Sequence, residues 1–149
     1  MRNKQLIHVQ YLNAINNKIL MLQQILIDLK ESGTNETKST AGDKHETALA
    51  MLQIEQANTR AQLHNALEQQ TSLLNIDPTI ITVKIGPGSF VKTDKGNFYL
   101  SVALGKLIIN GETVMAISTQ SPLGGKLLGR CINESIPING NSYLIESVE

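Results

Sequence analysis

Between Leu12 and Leu29 the apolar residues Leu12, Ile15, Ile19, Leu22, Leu26 and Leu29 recur in alternating steps of three and four. A repeat of that kind restricts the segment to a helix with one continuous apolar seam, the pattern of a coiled coil. The helix is expected over Asn3 to Glu31, with Ser32 and Gly33 ending it. A second helix is expected from Asp43 to Leu74. In it Leu49, Leu52, Leu63, Ala66 and Leu73 share one heptad phase, and Gln56 and Thr59 fall in that phase too. Two such helices joined by the polar stretch that runs through Gly42 read as an antiparallel hairpin with a thin, partly solvated seam. At 1.5 Å per residue each arm would be roughly 45 Å long. The competing reading is a helix buried in a compact bundle, which the additional apolar residues Leu20, Met21, Ile25 and Ile27 would support.

After Asn75, Asp77 and Pro78 the texture changes. The β-branched and aromatic runs Ile80 to Ile85, Phe90 to Thr93, Phe98 to Leu104, Thr113 to Ser118 and Tyr143 to Val148 are separated by the turn signals GPG, DKGN, NGE and INGN. These predict a twisted antiparallel sheet of four to six strands. Pro122 to Leu128 predicts one short helix opened by proline at its first turn. The fold class is therefore α+β in two domains: a coiled-coil hairpin over 1–76, with its tip near 33–46, and a β-rich domain over 77–149.

Composition removes several function classes. Aromatic residues make up 3% of the chain and tryptophan is absent, which speaks against an aromatic-lined pocket or a base-stacking platform. The 13 basic and 13 acidic residues cancel, so no overall positive field holds a nucleic-acid backbone. Contact with nucleic acid would have to be local or supplied by a partner. The single cysteine, Cys131, excludes an internal disulfide and a multi-thiolate metal site, and fits a reduced, cytoplasmic setting. No apolar run approaches the roughly 20 residues that span a bilayer, and MRNKQLIHVQYL is too interrupted to act as a signal peptide. No membrane association is expected.

The hairpin tip concentrates the carboxylates that could do chemistry: Glu36, Asp43 and Glu46. Asp43 and Glu46 are spaced as a capping box, in which the aspartate caps the helix and the glutamate three residues on reaches back. The same pair could supply half of a divalent-metal site, because Mg²⁺ commonly takes only one or two protein carboxylates. The two roles are compatible. His8, His45 and His64 are scattered and read as ordinary solvated residues. LGGKLLG lacks the spacing of a phosphate loop, IGPGSF precedes a strand rather than a helix, and no nucleophile with its base stands out. Catalysis by this chain alone is not expected.

Two motifs, taken together, resemble the bacterial Gre transcript-cleavage factors of the GreA and GreB type. GDKHET, Gly42 to Thr47, is similar to the family's tip motif G-D-x-x-E-N. SPLGGKLLGR, Ser121 to Arg130, is similar to its C-terminal signature S-P-[LIV]-[GA]-x-A-L-[LI]-G-K. The resemblance implies an N-terminal antiparallel coiled coil and an FKBP-like C-terminal domain. It also implies a transcription elongation factor that binds RNA polymerase through its secondary channel and stimulates cleavage of backtracked transcripts. The factor would be no enzyme itself; it would assist the polymerase's own cleavage. Asp43 and Glu46 would be the tip acids, with Glu36 as a possible helper, and would hold a Mg²⁺ shared with the polymerase active site. The chain would bind no cofactor on its own. Ser121, Pro122, Leu123, Gly124, Leu128 and Gly129 are the implied partner-binding residues, and Lys38 and Lys44 are candidate RNA contacts that also read as solvated turn lysines. RNA would be met only within the polymerase complex, and a monomer is expected.

The chain departs from the family's pattern at Thr47, where asparagine is usual, in the TKSTA lead-in of Thr37 to Ala41, and in ETVMAISTQ before the second motif. The alternative functional reading is a non-catalytic secondary-channel regulator or inhibitor. A prolyl isomerase, suggested by an FKBP-like half, would have only Phe90, Phe98, Tyr99 and Tyr143 to line its site. A plain coiled-coil adaptor is the remaining class.

Overall fold

The computed structural model describes residues 3–37 and 43–149, with side chains described outside 35–45. Helix α1 spans Asn3–Thr37 and helix α2 spans Asp43–Leu74. Helix α1 runs through the expected stop at Ser32 and Gly33. An interior glycine costs only about 1 kcal/mol relative to alanine, so it weakens a helix without stopping one that is already formed. Here Gly33 faces α2 across the amide of Gln56, and the Thr34 hydroxyl folds back on the Lys30 carbonyl at 3.1 Å.

The chain divides into two compact units, Ala14–Gln70 and a second unit that joins the residues up to Asn13 with Thr71–Glu149. In the first unit the two helices lie antiparallel. Gln56 Nε2 donates to the Leu29 carbonyl at 3.4 Å, and Gln70 Nε2 donates to Asn16 Oδ1 at 2.7 Å, so the partner advances along α2 as α1 is followed backwards. The seam is the heptad phase read from the sequence. Ile15, Ile19, Leu22, Thr59 and Ala66 are buried, and Leu26, Leu29, Leu49, Leu52, Gln56 and Leu63 are half-buried. Leu20, Met21 and Ile27 are 64%, 55% and 49% exposed, so the bundle reading fails. Their faces meet no third helix among the described residues.

The second unit is built on six strands: β1 Phe90–Thr93, β2 Gly96–Ser101, β3 Gly105–Ile109, β4 Glu112–Ser118, β5 Ser135–Ile138 and β6 Asn141–Val148. Their order in the sheet is β3-β4-β2-β1-β6-β5, antiparallel throughout except for the parallel pair β2–β4. Helix α3, Pro122–Leu127, follows β4. The architecture is α+β: a helical hairpin, then a mostly antiparallel sheet with one short helix. Asn110-Gly111 and Asn139-Gly140 take positive φ at both residues, which is what the tight β3–β4 and β5–β6 turns demand.

Each face of the sheet has its own cover. Phe90, Tyr99 and Ala116 lie side by side across β1, β2 and β4, and the start of α1 packs there through His8 and Tyr11. Successive residues on a strand alternate faces. Val91 and Leu100 therefore join Ile136, Ile145, Ile85 and Leu127 of α3 in a core on the opposite side.

One expected strand is missing. Ile80 to Ile85 belongs to no strand, because side chains claim its backbone. The Lys4 amine donates to the Ile80 carbonyl and the Thr82 hydroxyl donates to the Lys84 carbonyl, while just before the run Asp77 Oδ1 accepts from the Thr79 amide and hydroxyl in a tight turn. Only Ile85 pairs in strand fashion, exchanging hydrogen bonds with Arg130 and Gly129.

Candidate functional site

Asp43 opens α2, and Glu46 lies three residues on, in the same first turn. Glu46 is exposed. A three-residue step on a helix returns to the same face, so the spacing suits joint use of the two positions. The side chains of Glu36, Asp43, Lys44 and His45, and all of Lys38 and Gly42, lie outside the described residues. The donor set is two hard carboxylates, which matches what Mg²⁺ prefers but fills only part of an octahedral shell. Among the described residues no group of three or more His, Cys, Asp or Glu could hold a metal. Beside this end of the hairpin, Lys30, Gly33, Leu49, Leu52, Gln53 and Gln56 line a shallow groove between α1 and α2.

The second motif has an internal role that the sequence reading did not separate from partner binding. Ser121 caps α3: its hydroxyl accepts from the Gly124 amide at 3.0 Å and donates to the Ser118 carbonyl at 2.7 Å. Pro122 fills the first helical turn, where its missing N–H costs nothing. Gly124 is buried with no room for a side chain, since a β-carbon there would collide with the Ser118 carbonyl. Leu127 is fully buried and Leu123 packs against the same core. Of the six candidate partner residues, Ser121, Leu123 and Gly124 are used inwardly, while Pro122, Leu128 and Gly129 face solvent. Leu128 is 39% exposed, and Ile132 nearby is 50% exposed.

His8 is not the solvated residue that its isolation in the sequence suggested. It is buried, with Nδ1 2.6 Å from the Tyr99 hydroxyl. Desolvation holds its pKa below the ordinary histidine value, the neighbouring Lys4 charge lowers it further, and Asp77 opposes them. No local signal marks this contact, because its partner is 91 positions away. His64, by contrast, is exposed and sits 3.0 Å from Glu68 one turn on. Of the four aromatics considered for an isomerase site, Phe90, Phe98 and Tyr99 are buried in packing. Tyr143 is half-buried, against Phe98.

Among the described residues no helix is long and apolar enough to cross a membrane. No protein-family model and no curated protein matches the chain. Among solved structures, the transcription factor Gfh1 is similar at 19% identity, over 95% of this chain and 90% of that one, with a TM-score of 0.31. At that identity and score the similarity assigns no function to this chain.

Proposed function

We propose that this chain is a Gre-like accessory factor of RNA polymerase, one that enters the secondary channel with its hairpin and stimulates cleavage of backtracked transcripts. The observation that carries the reading is the placement of GDKHET where α2 begins, in a two-helix hairpin, on a chain that also carries SPLGGKLLGR after β4. Asp43 and Glu46 are the residues that would hold the shared Mg²⁺, and Glu36 is a secondary candidate. Bound there, the ion would supply charge stabilisation for attacking and leaving oxygens in phosphodiester hydrolysis. The protein's own part is to bring carboxylates to a site whose nucleic acid the polymerase already grips, which suits a chain with no net charge. Pro122, Leu128 and Gly129, the outward-facing members of the six candidate partner residues, are the docking candidates.

Adding the protein to backtracked polymerase complexes tests the proposal. Cleavage of the RNA 3′ end is expected to accelerate, and Asp43→Asn is expected to remove most of the acceleration while binding persists. Binding without any cleavage would instead favour a non-catalytic channel regulator. Thr47, in place of the usual asparagine beside Glu46, is the feature that motivates that second reading.

A further inference from the structure

We propose that His8 and Tyr99 form an acid-sensitive latch that holds the first turns of α1 on the sheet. Tyr99 is wholly inaccessible and His8 is 4% exposed, so neither group exchanges its partner for water while the helix is seated. The Tyr99 hydroxyl has one hydrogen to donate, and neutral His8 can accept it at Nδ1, 2.6 Å away. Protonated His8 has no acceptor left. Its Nδ1–H would then compete with the tyrosine proton for the same line of contact, and the hydroxyl proton would lose the acceptor that neutral His8 supplied. A buried donor left unsatisfied costs about 1–3 kcal/mol.

The surroundings reinforce the conflict. Lys4, one turn earlier on α1 and also 4% exposed, is anchored on the Ile80 carbonyl and makes no ion pair among the described residues; Glu149 and Asp77 attract its charge, but desolvation outweighs them. A second positive charge at His8 would add to one that is already poorly solvated. From the segment after α2, Asp77 favours a charged His8, but it is solvent-exposed, and both of its bonds to Thr79 hold it in its own turn. Tyr11, the remaining titratable group on this face of α1, stacks on the Tyr99 ring with centroids 6.1 Å apart. Its hydroxyl is spent on the Gly105 and Val114 carbonyls and offers His8 no alternative. The base is held neutral in the seated state, and its ordinary affinity for a proton returns only when the helix lifts. Acid therefore favours lifting.

Amide hydrogen exchange of α1 against pH, corrected for intrinsic rates, tests this. For one proton the protection of residues 4–12 is expected to fall by up to about tenfold per pH unit as the pH drops below the ordinary histidine value of 6.5. His8→Asn retains an acceptor for the Tyr99 hydroxyl but cannot titrate, and its protection should stay flat over the same range. Equal pH dependence in wild type and His8→Asn overturns the latch, as does flat protection in wild type. Should His8→Asn fail to fold, NMR titration of the His8 ring in the wild-type chain decides the matter. Protonation at the ordinary histidine value with the α1 amides still protected overturns the proposal, and protonation coupled to loss of that protection supports it.

Discussion

Gly124 is pressed against the carbonyl oxygen of Ser118, closer than any β-carbon could approach. The obstruction is backbone, fixed by the end of β4 and by the Ser121 hydroxyl bond to the same oxygen at 2.7 Å. It cannot swing aside as a side chain would. Gly124→Ala is therefore expected to destabilise the sheet unit by ~3 kcal/mol, the upper end for overpacking. Urea unfolding followed by circular dichroism measures it, and a loss below about 1 kcal/mol would show that α3 can shift freely.

Tyr11 shares its one hydroxyl hydrogen between the Gly105 carbonyl at 2.7 Å and the Val114 carbonyl at 2.9 Å, from a position with no solvent access. Burial pushes its hydroxyl from the ordinary 10 up to about 12. The folded pKa is raised, so the stabilisation is fully present below pH 10 and is lost as pH climbs toward about 12. Tyr99, also pushed up by burial, adds to the same alkaline loss. Tyr11→Phe should cost about 1–3 kcal/mol at neutral pH, because the two carbonyls lose their donor. It should also weaken the alkaline decline, and unfolding midpoints across that range would reveal both effects.

Thr59 is buried in the hairpin seam with its hydroxyl turned back on the Glu55 carbonyl at 2.8 Å, an oxygen that the helix already uses. Thr59→Val keeps the shape, removes a bond of little net value and buries a methyl group in its place. Stability should be unchanged or higher by ~0.5–1 kcal/mol. A thermal midpoint lowered by several degrees would mean that the hydroxyl serves a purpose other than self-capping.

Glu46 is exposed, so removing its charge should leave the fold intact to within ~0.5 kcal/mol, as for most surface changes. If it lends a ligand to a shared metal, Glu46→Gln should still lower transcript cleavage by roughly tenfold or more and raise the Mg²⁺ concentration needed for half-maximal effect. Cleavage assays over a magnesium titration, with binding measured in parallel, separate loss of chemistry from loss of docking.

The helical half was legible because its information is local and periodic. Burial follows the seam from Ile15 to Ala66 residue by residue, down to the polar positions Gln56 and Thr59. In the sheet, legibility depended on whether a strand resembled its surroundings. Strand β5 contains Pro137, which argues against a strand anywhere but an edge, and an edge is where the sheet order puts it. Strand β3 was hidden because GKLII follows so soon after the run ending at Leu104. The run at Ile80 misled in the other direction, having the right side chains but backbone carbonyls claimed by Lys4 and Thr82. In the candidate site, Asp43 and Glu46 were visible as a motif because they are three apart. His8 and Tyr99 were invisible because folding alone makes them neighbours.

The sheet order has a consequence for the time course of folding. Strand β1 is flanked by β2 and by β6, and Val91 pairs with Val148. Strand β1 stays half-paired until β6 leaves the ribosome, whereas the contacts of Ala14–Gln70 can close as soon as those residues emerge. The hairpin is thus expected to form early in synthesis and the sheet late. During that interval the start of α1 has no surface to settle on, and Ile7 and Tyr11, wholly covered in the finished molecule, are open to whatever meets the nascent chain first.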